Sequence, residues 1–176
     1  MMTEISLNVL DVSENSTRAG ASLVTILVTA DTSADKLTIV IADNGCGMTP
    51  EQAAHVTDPF FTTRTTRKVG LGIPFFKYAA ESTGGSFHIE SEPGKGTTVT
   101  AVFGLSHIDR MPLGDMNATI HNLIVYHPDT DFLYTYTYND ASFTLDTREM
   151  REILGEIPLN TPEVSAYIME YLKENQ

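Results

Sequence analysis

The segment Thr38-Ile-Val-Ile-Ala42 runs directly into Asp43-Asn44-Gly45-Cys46-Gly47. Its β-branched residues predict a buried strand, so we expect the carboxyl group of Asp43 to emerge where this strand leaves the sheet. Gly45 and Gly47 allow the backbone to bend closely around a bound group, because glycine adopts conformations that other residues avoid. Taken alone, the segment is equally typical of an ordinary Asp-Gly turn.

A second segment combines glycines with positive charge. Gly70-Leu71-Gly72 precedes a predicted helix over 73–82, and Arg64, Arg67 and Lys68 lie just before it. Free backbone amides at the start of a helix and nearby cations together favour the binding of an anion. Three of the eleven basic residues of the chain fall in this segment, which favours a phosphate-facing loop over a merely solvated one.

A predicted helix over 3–18 carries the third group of polar residues. Asp11 and Asn15 are four residues apart and share one face of this helix, with Glu14 beside them. An amide oxygen and a carboxylate suit Mg²⁺, a cation that keeps water ligands and bridges phosphates. Polar residues on an amphipathic helix also commonly face water, so this group carries weight only together with the other two.

The sequence around these groups predicts two hairpins and a further short helix. Thr49-Pro50-Glu51-Gln52 begins that helix, because it offers an N-cap residue, a proline at the first helical position and a glutamine for reciprocal capping. The strands of the hairpins are predicted over 22–30 and 37–42, and over 86–91 and 97–103.

The character of the sequence changes after Phe103. We expect one domain over 1–104, a connector over 105–117 that contains Pro112 and Gly114, and a small α+β extension over 118–176. Strands are predicted in the extension near 119–126, 131–138 and 142–145, followed by helices near 147–154 and 162–174. Along the second of these strands, an aromatic stripe on one face favours packing in a core: Phe132, Tyr134, Tyr136 and Tyr138.

The composition excludes several classes of partner. The 176 residues carry a net charge of −12, which repels nucleic acids and anionic membranes, so neither is expected as a partner. The single cysteine, Cys46, excludes an internal disulfide, and the five histidines have no metal-binding spacing. With an acidic N-terminus and no apolar run long enough to span a bilayer, a cytoplasmic location is expected.

Five motifs occur in a fixed order, and together they resemble those of the histidine kinase/gyrase/Hsp90/MutL (GHKL) ATPase superfamily. The resemblance covers residues 4 to 104 and implies a Bergerat fold, an α+β two-layer sandwich with a mixed sheet backed by helices. The motifs are Glu14-Asn15-Ser16, Asp43-Asn-Gly-Cys-Gly47, Asp58-Pro-Phe-Phe-Thr-Thr-Arg64, Gly70-Leu-Gly72 and Gly94-Lys-Gly-Thr97.

The resemblance also implies roles for single residues around ATP and Mg²⁺. It places Asp43 and Thr97 at the adenine, and Asn15 on the magnesium ion. It brings Gly45 and Gly47 close to the nucleotide and seats the phosphates on Gly70 and Gly72. It makes Arg64, Arg67 and Lys68 cations of a lid over the nucleotide. For Phe60 and Phe61, at the base of this lid, packing in the core is the favoured interpretation.

Catalysis is less strongly implied than binding. ATPases of this superfamily use a glutamate four residues before the magnesium asparagine as general base, and here that position is Asp11, one methylene shorter. We therefore treat Asp11, with the neighbouring Glu14, as candidate catalytic residues. A P-loop and a dinucleotide-binding loop are both excluded, because neither GxxxxGK[ST] nor GxGxxG is present.

Too little sequence precedes the first helix for the dimerising arm of gyrase-like machines or for the phosphoacceptor helices of sensor kinases. In layout the sequence is similar to anti-sigma-factor serine kinases, which implies a kinase acting on a separate, unidentified protein partner. Two other interpretations stay open: an ATP-gated protein-binding switch without phosphoryl transfer, and a weak ATPase. A homodimer is compatible with each of them.

Overall fold

The strand that carries Asp43 lies inside a six-stranded sheet in the computed structural model, which describes residues 3–58 and 72–175. The helices are α1 (Ile5–Arg18), α2 (Pro50–Val56), α3 (Gly72–Glu81), α4 (Met116–Tyr126), α5 (Thr147–Leu154) and α6 (Pro162–Glu174). The strands are β1 (Leu23–Asp31), β2 (Lys36–Asp43), β3 (Ser86–Glu92), β4 (Gly96–Gly104), β5 (Asp131–Tyr138) and β6 (Ala141–Asp146).

The sheet has the order β3-β4-β2-β1-β5-β6 and is mixed. All neighbouring strands are antiparallel except β1 and β5, which run parallel with Leu23 opposite Asp131. Residues alternate between the two faces of each strand. On β1, for example, Val24, Ile26 and Val28 are fully buried, whereas the residues between them are half-buried.

Helices α1, α3 and α4 form the second layer against the buried face of the sheet. Helix α1 lies in the middle and contacts both α3 and α4. Phe76 of α3 packs against Phe103 of β4 with ring centroids 5.9 Å apart. The predicted α+β sandwich is therefore confirmed, and α1 is the element that connects its two ends.

Most elements predicted for the first part of the chain are present with bounds shifted by one or two residues. The predicted reciprocal cap at the start of α2 is also present. Thr49 Oγ1 accepts a hydrogen bond from the backbone of Gln52 at 3.2 Å, and Gln52 Oε1 accepts one from the backbone of Thr49 at 2.9 Å.

The strand predicted near 119–126 is wrong, because this segment lies in helix α4. Its many β-branched residues favour a strand, but its buried residues recur at helical spacing: Met116, Thr119, Ile120, Leu123 and Ile124. Asp115 caps the helix by accepting a hydrogen bond from the backbone of Ala118 at 2.9 Å.

The segment predicted as a connector runs as a strap onto the start of α1. The backbone amides of Ile5 and Ser6 donate to the carbonyl oxygens of Pro112 and Leu113 at 3.0 and 2.8 Å. These are amides that a helix cannot satisfy from within. The strap therefore takes part in the fold, and its last residues already belong to α4.

Residues 118–175 extend the sheet formed by the first part of the chain. Strand β5 pairs with β1 along its whole length, and Phe132 and Tyr134 of the aromatic stripe are fully buried in the common core. Further along β5 the stripe becomes exposed, and Tyr138 is half exposed to solvent at 50%. The boundary predicted at residue 104 thus falls between two parts of one hydrogen-bonded sheet.

Candidate nucleotide site

Asp43 is the last residue of β2, and its carboxylate is held at the end of this inner strand. Its Oδ1 accepts a hydrogen bond from the backbone of Gly45 at 2.8 Å, and its Oδ2 accepts one from Ser16 Oγ of α1 at 2.6 Å. A carboxylate has about four acceptor positions, so both oxygens can still accept a hydrogen bond from a ligand. The orientation of Asp43 is therefore fixed while part of its binding capacity stays available.

The turn after Asp43 fits between the end of α1 and the β3–β4 hairpin. Cys46 N donates to the carbonyl oxygen of Ala19 at 2.9 Å, and Gly94 N donates to that of Cys46 at 2.7 Å. Gly47 has φ +70°, and a Cβ atom there would lie 2.0 Å from the carbonyl oxygen of Glu92. Only glycine fits at this position, because the turn packs against the backbone of the β3–β4 hairpin.

Thr97 lies next to Asp43 on the neighbouring strand β4, since the two residues are partners in the β2–β4 register. Its Oγ1 is 2.8 Å from Ser91 Oγ, which also accepts a hydrogen bond from the backbone of Met48 at 2.7 Å. Gly96 has φ +119°, and a Cβ atom there would lie 1.9 Å from the carbonyl oxygen of Asp43. The sequence analysis did not single out Gly96 or Ser91, although Gly96 lies within the quoted Gly94–Thr97 motif.

Asn15 and Glu14 lie on α1 and face different partners. Asn15 Oδ1 accepts a hydrogen bond from Arg18 Nη1 at 2.8 Å. Glu14 is turned towards the end of α4, where both its carboxylate oxygens are 3.0 Å from His127 Nε2. Glu14, one of the two catalytic candidates, is therefore in contact with the C-terminal part of the chain.

Asp11, the other catalytic candidate, lies against the N-terminus of α3. A Cβ atom on Gly72 would be 1.8 Å from Asp11 Oδ2, so the absence of a side chain at Gly72 makes this approach possible. Burial raises the pKa of the Asp11 carboxyl above its ordinary value. The charge of Arg18 partly offsets the rise in this pKa, and that of Glu14 adds to it.

The described residues place the predicted groups on neighbouring elements. Asp43, Gly45, Gly47 and Thr97 meet at the end of β2, and Asp43 is tied to α1 through Ser16, next to Asn15. Asp11 and Gly72 meet at the start of α3. Six predicted residues lie outside the described residues: Phe60, Phe61, Arg64, Arg67, Lys68 and Gly70.

Known proteins share both this sequence pattern and this fold. The family model of histidine kinase-, DNA gyrase B- and HSP90-like ATPases matches residues 1–107. The chain belongs to this family. All the described site residues named above except His127 fall within the matched range.

Relatives in the GHKL family include sensor proteins. The chain is 33% identical over 102 residues to the sensor protein SrrB of Staphylococcus aureus (strain NCTC 8325 / PS 47), an alignment that covers 55% of this chain and 17% of SrrB. The chain thus matches less than a fifth of the length of that sensor protein.

Two solved structures share the GHKL fold with this chain. The N-terminal domain of a DNA repair protein superposes with a TM-score of 0.56 at 14% identity, covering 82% of this chain and 52% of that one. The MutL ATPase domain of Aquifex aeolicus, complexed with ADP, superposes with a TM-score of 0.51 at 16% identity, covering 88% and 70%. The fold therefore extends beyond the residues that the family model matches.

Helices of residues 3–58 and 72–175 are all too short or too polar to cross a membrane. The same residues contain no cluster of three His, Cys, Asp or Glu side chains that could hold a metal ion by themselves.

Proposed function

We propose that this chain binds Mg-ATP, with the adenine amino group donating a hydrogen bond to Asp43. The observation that carries this proposal is the double restraint of the Asp43 carboxylate by Ser16 and Gly45. Thr97 is its partner on the neighbouring strand, and Gly45 and Gly47 form the tight turn that follows it. The ADP held by the MutL domain of the same fold supports a nucleotide as the ligand.

The residues of α1 are suited to a magnesium ion that nucleotide phosphates also ligate. Mg²⁺ is commonly held by one or two protein oxygens, with water and phosphate oxygens completing its shell. Asn15 Oδ1 would be the protein ligand, because an amide oxygen that accepts from Arg18 keeps a second lone pair. When bound, the ion supplies positive charge to the phosphates, and the role of α1 is to position that ion.

The reaction we propose is phosphoryl transfer to a separate protein in signal transduction. The similarity to the sensor protein SrrB supports a signalling role. We place the acceptor on a separate protein because the sequence is similar in layout to anti-sigma-factor serine kinases. A kinase site mainly positions ATP and offsets its charge, so it can serve such an acceptor.

Hydrolysis is the second candidate, and Asp11 is the observation that favours it. A carboxyl with a raised pKa beside the start of α3 is suited to accept a proton from water at the phosphate end of the site.

The binding proposal is tested by calorimetry with Mg-ATP on the wild type, Asp43→Asn and Asn15→Ala. A hydrogen bond to a charged group contributes about 1.5–3 kcal/mol, so Asp43→Asn should weaken binding roughly ten- to a hundredfold. Asn15→Ala should weaken Mg-ATP binding more than binding of ATP without magnesium. Asp140→Asn and Asn122→Ala change the same residue types at exposed positions and should bind as the wild type does. Equal affinities in all five proteins would contradict the proposed site.

The reaction is tested by incubating γ-labelled ATP with the protein in an extract of its own cells. Label on one partner protein with the wild type, and on none with Asn15→Ala, would support the kinase. Free phosphate without a labelled protein, abolished by Asp11→Asn, would support hydrolysis. ATP that is bound but unchanged would instead support the switch.

A further inference from the structure

Asn8 of α1 is a buried polar residue that the nucleotide site does not use. It is 0% exposed, and neither its Oδ1 nor its Nδ2 has a hydrogen-bond partner within residues 3–58 and 72–175. An amide buried without partners lowers the stability of the fold, and an apolar residue of similar shape would remove that penalty. A polar residue at such a position points to a ligand that satisfies it.

A cleft of about 300 Å³ lies at Asn8, between α1, α3 and the strap of residues 105–115. This volume is at the lower end for small-molecule pockets and suits one long side chain better than a nucleotide. Asn8 is among the residues that line this cleft, although its side chain is 0% exposed, and the lining aromatic residues Phe75 and Tyr78 are 38% and 74% exposed. Asp109 and Met111 of the strap also line the cleft.

The cleft lies one helical turn from the candidate nucleotide site. Along α1, Asn8 precedes Asp11 by three residues, and along α3, Phe75 follows Gly72 by three residues. An occupant of the cleft would therefore lie beside the phosphate end of the nucleotide site without sharing its residues.

We propose that this cleft binds an arginine side chain in a basic segment of a protein partner. Asp109 and Asn8 Oδ1 are acceptors for a guanidinium group, and Tyr78 and Phe75 are aromatic surfaces on which its plane can stack. Asn8 Nδ2 can donate to a carbonyl oxygen of the same segment. His107 Nδ1 accepts a hydrogen bond from the backbone amide of Asp109 at 3.1 Å, so this nitrogen has no proton to donate to the Asp109 carboxylate.

The charge of the chain supports a basic partner. A net charge of −12 attracts basic segments at long range and repels acidic ones. One part of this inference rests on the proposed function: that the partner bound at the cleft is the protein to which the nucleotide site transfers phosphate. Since Asn8 is covered in this structure, an entering side chain reaches it by displacing side chains that line the cleft.

The test is a titration of ¹⁵N-labelled protein, without nucleotide, with the peptide acetyl-Gly-Gly-Arg-Gly-Gly-amide. We expect saturable NMR shifts at the side-chain amide of Asn8 and the backbone amides of Phe75 and Tyr78. A peptide with citrulline, the neutral isostere of arginine, should bind about tenfold more weakly, and a lysine peptide should also bind more weakly. Shifts confined to other surfaces, or equal binding of the citrulline peptide, would overturn the proposal.

Two variants separate the cleft from general charge attraction. Asn8→Leu and Asp109→Asn should each weaken the arginine peptide about tenfold, while Asp140→Asn, which removes the same charge at an exposed turn, should not. Asn8→Leu should not lower the melting temperature, because it removes an unsatisfied group, so lost binding would not reflect unfolding. Tighter binding of free L-arginine than of the capped peptide would assign the cleft to a small molecule and contradict a protein partner. Because no nucleotide is present, failure of ATP binding leaves these outcomes unaffected.

Discussion

At the scale of single residues, Asp43 owes its position to two donors that come from different parts of the chain. Gly45 follows it in the same motif, so this hydrogen bond could be anticipated from the Asp43–Gly47 sequence. Ser16 could not be assigned in the same way, because the distance between α1 and the end of β2 depends on how the helix packs on the sheet. The Asp43–Gly47 motif therefore indicated the donor that is close in sequence, but not the donor that comes from α1.

Ser16→Ala tests the contribution of this second donor. Loss of one hydrogen bond to a carboxylate should weaken ATP binding up to about tenfold, because Asp43 becomes freer to rotate. Calorimetry measures the change. Ser13→Ala is the matched control: Ser13 is also buried on α1, but its hydroxyl has no partner in the described part of the chain. Its removal should leave affinity and stability nearly unchanged, and a comparable loss in both variants would contradict the role given to Ser16.

Asp11→Asn should change how stability depends on pH. Because burial raises the pKa of Asp11, the folded state binds this proton more tightly than the unfolded chain. Stability therefore falls as pH rises from the ordinary pKa of 3.8 through the raised pKa of the folded state. Urea unfolding at a series of pH values should show the variant gaining stability over the wild type as pH increases. A gain that shrinks with increasing pH would contradict this sign, and Asp140→Asn serves as the exposed control.

At the scale of elements, α1 was predicted well and α4 was not. Both are amphipathic, but α1 carries polar residues at its half-exposed positions, whereas α4 is apolar and β-branched over much of its length. A short apolar segment satisfies either a strand or a buried helix, and packing against α1 and α6 decides in favour of the helix. Helix α2 could be predicted without knowledge of its packing, because the capping residues Thr49 and Gln52 specify its start locally.

The turn after β2 can be tested through its glycine. Gly47→Ala should destabilise the protein by more than the roughly 1–2 kcal/mol of a left-handed conformation, because the added Cβ meets a backbone carbonyl that cannot rotate away. It should also weaken ATP binding. Gly84→Ala is the control: Gly84 has φ +76°, and a Cβ atom there would have open space around it within 4 Å. Equal losses of unfolding free energy in the two variants would show that the turn is not tightly packed.

At the scale of the whole molecule, the sheet does not end where the family motifs end. The sequence change after Phe103 suggested a boundary, since polar residues with proline and glycine usually mark connections. That composition does not reveal that β5 pairs with β1, because strand pairing between distant segments leaves no local pattern in the sequence. For the same reason, the contact between Glu14 of α1 and His127, which follows α4, could not be predicted from the sequence.

A chain cut after residue 107 should therefore fold poorly, although it retains every family motif. It loses β5, which is one of the two neighbours of β1, and a set of fully buried side chains: Ile120, Leu123, Ile124, Phe132 and Tyr134. Thermal unfolding followed by circular dichroism should show no cooperative transition. In the intact chain, Leu123→Ala should lower the free energy of unfolding by about 2–5 kcal/mol. A truncated protein as stable as the intact one would contradict the shared core.

The parallel pairing of β1 with β5 also has a consequence for biosynthesis. Strand β1 leaves the ribosome well before β5 is synthesised. Until then, the edge of β1 that pairs with β5, from Leu23 opposite Asp131 onwards, has no neighbouring strand. Until then the nascent chain carries an open strand edge beside an unfinished core, the kind of surface on which chains aggregate or recruit chaperones. Translation pauses between α4 and β5 should therefore lower the yield of native protein, whereas pauses after β6 should have little effect.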